Sequence, residues 1–149
     1  MKNTRIKGVI ADTGFWVASA NQKDKYHKDT LAAFEKFREP LIVTWPVITE
    51  VCHLLGLRVG LNAQRIFLKN IELGGAIIFE LDQMRFLHRM HVLMEKYADL
   101  PMDLADASLV ILAEELGHGR ILSTDQRDFR TYRWKNHQPF ENLLLTDVS

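Results

Sequence analysis

Pro101–Phe129, with the sequence PMDLADASLVILAEELGHGRILSTDQRDF, predicts a helix followed directly by a strand. Asp103 is suited to cap the start of this helix, and Gly117 is suited to end it. Leu109, Leu112, Ala113 and Leu116 have the spacing of one buried helix face, and Val110 and Ile111 make the opposite side apolar too. They lie on more than one side, so we expect a helix that is covered over most of its surface. The strand Arg120–Thr124 follows, and Asp125 comes directly after it.

The composition is that of an ordinary globular protein, with 47% hydrophobic and 26% charged residues among 149. We expect one domain, residues 1–149. Basic and acidic residues number 19 each, so the net charge is zero. This balance argues against a protein whose whole surface binds nucleic acid.

The sequence favours the cytoplasm as the location. The single cysteine, Cys52, cannot form a disulfide within the chain, which fits a reducing compartment. No apolar run approaches the roughly 20 residues of a membrane span. A short apolar run follows the basic segment Met1–Lys7, but Asp12 interrupts it, so no signal peptide is predicted.

Apolar runs alternate with helical patterns along the chain. The predicted strands are Ile6–Ala11, Leu41–Trp45, Ala76–Leu81, Arg120–Thr124 and an edge strand Asn142–Leu145. The predicted helices are Phe15–Ala20, Asp29–Arg38, Val47–Leu57, Leu61–Leu73, Asp82–Ala98 and Asp103–Leu116, with a polar loop at Asn21–Lys28. This order predicts an α/β fold with a mainly parallel central sheet of four or five strands and helices on both faces.

Four acidic residues are predicted to meet at one edge of that sheet. Asp12 follows the first strand, and Asp125 follows the fourth. Glu50 lies near the start of the helix after the second strand, and Asp106 near the start of the helix that leads into the fourth. Ligands of open parallel sheets bind at the carboxyl ends of the strands, which is where all four would lie.

Carboxylates gathered in this way repel one another unless a cation compensates them. Mg²⁺ prefers oxygen ligands, and a bound Mg²⁺ can orient a phosphodiester and activate a water for its hydrolysis. The competing interpretation of each acid is local, because acids also favour helix starts for the backbone N–H groups there. Neighbours suited to orient a carboxylate or a water are Thr13, Asp103, Ser123, Thr124 and Asp128. Asp103 is equally suited to be a helix cap, and Asp128 to pair with a nearby arginine.

Arg127–Phe140 alternates cations with aromatic residues. The cations are Arg127, Arg130, Arg133 and Lys135, and the aromatic residues between them are Phe129, Tyr132 and Trp134. Cations bind phosphates and aromatic faces stack on unpaired bases, so the segment suits single-stranded nucleic acid. An equally good interpretation is a surface segment whose aromatic side chains anchor it to the core.

Four short motifs resemble those of the PIN-domain ribonucleases, and in particular the VapC-type toxins of bacterial toxin–antitoxin pairs. They are I-A-D-T at Ile10–Thr13, T-E at Thr49–Glu50, D-L-A-D-A-S at Asp103–Ser108 and S-T-D-Q-R-D-F at Ser123–Phe129. The resemblance covers nearly the whole chain, and the order and spacing of the acids make it specific.

The resemblance implies a PIN-like three-layer sandwich with the activity of a Mg²⁺- or Mn²⁺-dependent endoribonuclease. By motif position, the acidic quartet that binds metal and carries catalysis is Asp12, Glu50, Asp106 and Asp125. It also implies a homodimer and a small antitoxin whose tail covers the site.

Two other functions remain open at the level of sequence. A phosphohydrolase of small phosphoesters would use Asp12 as its nucleophile, although position 14, where a second Asp would be expected, is Gly. A catalytically idle binding module would keep the fold without the chemistry, although all four acids are present.

Overall fold

A parallel sheet of five strands forms the centre of the computed structural model, which describes residues 7–144. The strands of the chain are β1 Val9–Ala11, β2 Leu41–Val43, β3 Ile77–Ile78, β4 Arg120–Leu122, β5 Arg133–Trp134, β6 Gln138–Pro139 and β7 Glu141–Asn142. The order in the central sheet is β3-β2-β1-β4-β7, and each neighbouring pair is parallel. β5 and β6 form a separate antiparallel pair.

Seven helices surround the sheet in the described part of the chain. They are α1 Thr13–Ala20, α2 His27–Lys36, α3 Trp45–Arg58, α4 Leu61–Asn70, α5 Gln83–Lys96, α6 Leu104–Leu116 and α7 Gln126–Thr131. β1, β2 and β3 follow one another outward, and the chain then returns to place β4 on the other side of β1. Right-handed crossovers therefore put α1–α4 on one face and α5–α6 on the other. The predicted α/β sandwich is confirmed. None of these helices is long and apolar enough to cross a membrane.

α6 is the most deeply buried helix, as its sequence predicts. Nine of its 13 residues are buried. Asp103 caps its start, because the Asp103 Oδ1 accepts a hydrogen bond from the backbone N of Asp106 at 2.8 Å. Gly117 ends it in the left-handed conformation, with φ of 80°, which disfavours any side chain. β1 and β2 are also wholly buried, as expected of central strands covered on both faces.

β2 and β4 are shorter than predicted, and the polar side chains just past their ends bond to other elements. Thr44 leaves β2 to form a 2.7 Å hydrogen bond with Ser108 of α6, and the next residue already begins α3. Ser123 leaves β4 to donate to Asp12. Of the strand predicted over Ala76–Leu81, only Ile77–Ile78 is observed, as β3, and the prediction is wrong for the rest. β3 lies at the sheet edge with both side chains exposed.

Several helix boundaries also differ from prediction. α1 begins two residues early because Asp12 caps it. α2 begins at His27, inside the predicted loop Asn21–Lys28, and ends before Phe37. α4 is followed by a π-helical turn, Ile71–Gly75. The Ile6 end of the first predicted strand and the Leu145 end of the predicted edge strand lie outside the described residues.

The segment after Asp125, to which the sequence analysis assigned no helix or strand before Asn142, contains both. Asp125 caps the short helix α7, and the β5–β6 hairpin follows it. Lys135 and Asn136 make the turn with positive φ values of 49° and 65°. The hairpin then leads into β7, which completes the central sheet beside β4.

Candidate active site at the carboxyl edge of the sheet

Asp12 lies at the centre of the site, with only 5% of its surface exposed. Its Oδ1 accepts a hydrogen bond from the backbone N of Phe15 at 2.8 Å, and its Oδ2 accepts one from the Ser123 hydroxyl. Burial raises the pKa of Asp12 to about 7 despite these two donors, and the nearby carboxyls of Asp125 and Glu50 raise it further. The carboxyl is therefore poised between its neutral and charged forms at neutral pH.

Asp106 lies half-buried in the first turn of α6. Burial raises its pKa to about 8, and repulsion from Asp103 and Asp12 acts in the same direction. Its Oδ2 accepts a hydrogen bond from the Tyr132 hydroxyl at 3.2 Å. Burial and the neighbouring acids raise the pKa of Tyr132 above its usual value, so this hydroxyl keeps its proton and acts as a donor.

Glu50 lies on the second turn of α3 and is half-buried. Burial raises its pKa, and a hydrogen bond with Asp103 adds to this. A hydrogen bond between two carboxyl groups needs a proton between them, which is why it favours the neutral form. Thr13, at the start of α1, acts in the opposite direction by hydrogen bonding to Glu50.

Asp125 is exposed and caps α7, because its Oδ1 accepts from the backbone N of Asp128 at 3.0 Å. Burial of part of the carboxyl raises its pKa, and a hydrogen bond with the Asp128 carboxyl adds to the effect. Asp128 is itself buried, with its Oδ1 3.3 Å from the Arg127 Nε. Asp128 therefore pairs with an arginine, one of its two predicted roles, and it also lies beside the carboxyl of Asp125.

The structure brings the four predicted acids to one edge. Each of Glu50, Asp106 and Asp125 interacts electrostatically with Asp12. Within residues 7–144, no three His, Cys, Asp or Glu side chains are arranged closely enough to hold a metal ion as they stand. A donor set of mutually repelling, partly neutral carboxylates nevertheless fits a hard divalent cation. Mg²⁺ in proteins contacts only one or two carboxylates directly and keeps several waters.

Gly14 and Thr124 are in close contact beside Asp12. A Cβ added at Gly14 would lie 2.0 Å from the Thr124 Oγ1 and 3.6 Å from the Asp12 Oδ1. No side chain fits at such a distance, so the start of α1 approaches the end of β4 this closely only because residue 14 is glycine.

Asn142 is a site residue that the sequence did not predict. Its Oδ1 accepts from the backbone N of Ser123 at 3.1 Å, and its Nδ2 donates to the Ser123 carbonyl at 2.9 Å. Ser123 in turn accepts from the backbone N of Asp125 at 2.9 Å through its hydroxyl oxygen. One serine therefore links Asp12 to Asp125, and Asn142 fixes that serine.

Comparisons with known proteins agree with this architecture. No family model matches the chain. Over 125 residues the chain is 26% identical to Ribonuclease VapC26 of Mycobacterium tuberculosis, covering 84% of this chain and 92% of that protein. The crystal structure of Mycobacterium tuberculosis VapC20, described as a sarcin–ricin loop cleaving toxin, superposes with a TM-score of 0.72 at 18% identity. That match covers 80% of this chain and 92% of VapC20.

The resemblance to the VapC-type PIN-domain family is confirmed. The fold is PIN-like, with the predicted parallel sheet between two layers of helices.

The cation-rich segment of this PIN-like fold has its main aromatic rings in the core. Phe129 and Tyr132 are buried, so their faces are closed to nucleic acid bases. Trp134 is half-buried, and its Nε1 donates to the Pro139 carbonyl. The interpretation of these rings as anchors is therefore correct for Phe129 and Tyr132, and the stacking interpretation is wrong for them.

The four cations of the segment differ in what they contact. Arg130 and Lys135 are exposed, and Arg127 is exposed over 75% of its side chain. The guanidinium of Arg133 donates to three backbone carbonyls at the end of α7, so it stabilises the turn after that helix.

A large apolar groove adjoins the acids on the side of Glu50 and Asp103. Its volume is about 1060 Å³, and it lies between the start of α3, the chain after β3 and the start of α6. Trp45, Leu87 and Leu104 line it with side chains that are about half exposed. An apolar groove with a few polar groups at one side is the usual form of a ligand-binding site.

Proposed function

We propose that this chain is a divalent-metal-dependent endoribonuclease and the toxin of a toxin–antitoxin pair. The observation that carries the proposal is the convergence of Asp12, Glu50, Asp106 and Asp125 at one sheet edge, where burial raises the pKa of every member. Such a site is electrostatically incomplete without a cation. The similarity to Ribonuclease VapC26 supports RNA as the substrate.

We propose Mg²⁺ as the cation, with Mn²⁺ as the alternative, held by Asp12 and Asp125 and by Glu50 and Asp106 directly or through waters. Bound there, it would orient the phosphodiester, lower the pKa of a water and stabilise the leaving oxygen. The chain supplies the geometry. Ser123 and the backbone N of Phe15 fix Asp12, so that its charged form is oriented before any cation arrives.

The positions of the cations suggest how RNA would approach. We propose that Arg127, Arg130, Arg133 and Lys135 bind phosphates, since α7 begins directly after Asp125 and Arg127 and Arg130 lie on it. Arg127 and Arg130 are the stronger candidates because they lie on that helix. Arg133 already satisfies much of its hydrogen bonding within the chain.

We propose a small antitoxin and a second copy of this chain as partners, acting in the cytoplasm. The groove beside Glu50 and Asp103 supports the antitoxin, because a segment lying there would cover apolar surface and reach the acids. Large exposed apolar side chains at the end of α3 and along α4 support a homodimer. They include Leu57, Leu61 and Ile66.

The phosphohydrolase alternative needs Asp12 as a free nucleophile. The side chain is buried and each oxygen accepts one hydrogen bond, which leaves a lone pair free for a small cation but hinders the in-line approach of a bulky phosphoester. This observation favours metal-assisted attack by water over a phospho-enzyme at Asp12.

An RNA cleavage assay with Mg²⁺, with EDTA and with Asp12→Asn tests the proposal. We expect EDTA to abolish cleavage. We also expect Asp12→Asn to reduce it roughly a thousandfold or more, because bound metal supplies several kcal/mol of transition-state stabilisation. Asp29→Asn, at an exposed acid in the first turn of α2, is the matched control and should cleave normally. Unchanged cleavage by Asp12→Asn would end the assignment.

A further inference from the structure

Tyr132 lies outside the four family motifs and yet contacts an acid of the site. It is fully buried, with 0% of its surface exposed, and it ends α7. Its ring packs edge-on against Tyr97 and Phe129, at centroid distances of 5.0 and 5.1 Å. These contacts fix the ring, so the direction of its hydroxyl is fixed too. That hydroxyl lies 3.2 Å from the Asp106 Oδ2.

We propose that Tyr132 is a positioning residue for Asp106, holding one carboxylate oxygen so that the other is presented to the cation site. This inference rests on the proposed function. The Asp106 Oδ1 has no side-chain hydrogen bond among residues 7–144, whereas the Oδ2 has the Tyr132 hydroxyl. The tyrosine thus restricts a carboxylate that its acidic neighbours would otherwise push aside.

The helix α7 links Tyr132 to a second acid of the site. Asp125 caps the helix at its start, and the backbone N of Tyr132 donates to the Asp128 carbonyl at its end. One six-residue helix therefore connects one acid of the site to the residue that positions another. α7 and the hydrogen bond of Tyr132 are thus one physical connection between Asp125 and Asp106.

Partners that orient a metal-binding side chain without touching the metal typically change metal affinity or activity by about 10- to 100-fold when they are removed. We expect an effect in this range from Tyr132→Phe, which keeps the buried ring and removes only the hydroxyl. The effect should fall on the metal concentration needed for half-maximal cleavage. The rate at saturating metal should stay near that of the unmodified chain.

Tyr97→Phe is the matched control. Tyr97 packs against the Tyr132 ring, and its hydroxyl accepts a hydrogen bond from the backbone N of Arg133 at 3.1 Å. Each substitution therefore removes one hydroxyl from the same aromatic cluster, and that of Tyr132 also removes a longer contact of 3.5 Å with the Leu100 carbonyl. Of these two hydroxyls, that of Tyr132 contacts an acid of the site and that of Tyr97 contacts a backbone N.

The experiment is a Mn²⁺ titration of the full chain without RNA, followed by the paramagnetic signal of free Mn²⁺, and then cleavage as a function of Mn²⁺ concentration. We expect the Mn²⁺ dissociation constant to rise about tenfold or more for Tyr132→Phe and to stay unchanged for Tyr97→Phe. In an Asp106→Asn background, Tyr132→Phe should have no further effect, because the tyrosine acts through that carboxylate.

The outcomes distinguish failure of the positioning role of Tyr132 from failure of the proposed nuclease function. If the unmodified chain binds Mn²⁺ and cleaves RNA but Tyr132→Phe behaves like it, the positioning role is overturned and the nuclease stands. Equal losses in Tyr132→Phe and Tyr97→Phe would assign the effect to packing and overturn it as well. If the unmodified chain neither binds Mn²⁺ nor cleaves RNA, the proposed function fails and the positioning role fails with it.

Discussion

The charged side chains near the two ends of β4 are arranged in opposite ways. At its start, the guanidinium of Arg120 donates to both carboxylate oxygens of Glu39, and this pairing lowers the pKa of Glu39. Just past its end, Asp12 and Asp125 lie among further acids, and the pKa of Asp12 rises to about 7. Opposite charges are paired at one edge of the sheet, and like charges are collected at the other.

The proposed site therefore lies at the edge where the carboxyl groups repel one another. The net charge of zero does not reveal this difference, because it adds the charges of both edges into one number. The paired edge contributes to stability by itself, whereas the acidic edge reduces stability until a cation arrives. The contrast can be tested by comparing stability and metal binding after changes at each edge.

The largest effect is expected from Asp12→Asn at alkaline pH in EDTA. Folding raises the pKa of Asp12 from 3.8 to about 7, so the folded chain binds the proton more tightly than the unfolded chain. The free energy of unfolding should therefore fall as pH rises from about 4 to 7, by roughly 4 kcal/mol from Asp12 alone. The substituted asparagine carries no charge, so we expect the variant to be the more stable protein at pH 8 and to lose this advantage at pH 5.

Denaturant unfolding at several pH values measures this difference. Adding Mg²⁺ at pH 8 should stabilise the unmodified chain and leave Asp12→Asn nearly unchanged, because a ligand raises stability only where it binds the native state. Metal-free stability that rises steadily from pH 4 to 8 would contradict the description of the acidic edge.

A smaller effect is expected from Gly14→Ala, which tests how closely that edge is packed. Alanine favours helices, so any loss must come from the contact with the Thr124 Oγ1. We expect a loss of about 1–3 kcal/mol in the free energy of unfolding, typical of overpacking, with weaker RNA cleavage because Asp12 is displaced. Thr124→Ala removes the obstructing hydroxyl, so the double variant should recover most of the stability. Failure to recover would place the strain elsewhere.

The smallest effect is expected from Glu39→Gln at the paired edge. Exposed ion pairs contribute at most about 1 kcal/mol, so thermal melting should fall by only a few degrees. The pKa of Glu39 is lowered in the folded chain, so its contribution is present above the usual pKa of a carboxyl and disappears as pH falls through the lowered value. Mn²⁺ affinity should stay unchanged. A change in Mn²⁺ affinity would mean that the two edges are coupled through β4.

The sequence predicted the features that depend on local rules. α6 could be located because Asp103, Gly117 and the apolar residues between them each act within a few residues of sequence. The meeting of the four acids could be predicted because the carboxyl ends of parallel strands lie at one edge, whatever the loop details. The metal role and the RNA-binding role of these residues stay predictions.

The features that the sequence did not predict depend on distant partners. The strand β3 is only two residues long, and no local sequence pattern indicates where it ends. Asn142 holds Ser123 only because β7 pairs with β4. Tyr132 could be placed in the core by the interpretation of its segment as anchored, but its bond to Asp106 depends on where α7 ends.

The pairing of β1 with β4 has a consequence in time as well as in space. Ile10 pairs with Ile121, and almost the whole chain must be made before these two strands can meet. Asp12 and Ser123 come together in the same step. Contacts between such distant residues form late in folding, since the loop between them must first be closed. A partly synthesised copy that ends before β4 would therefore lack Ser123 and Asp125, and with them two residues of the proposed site.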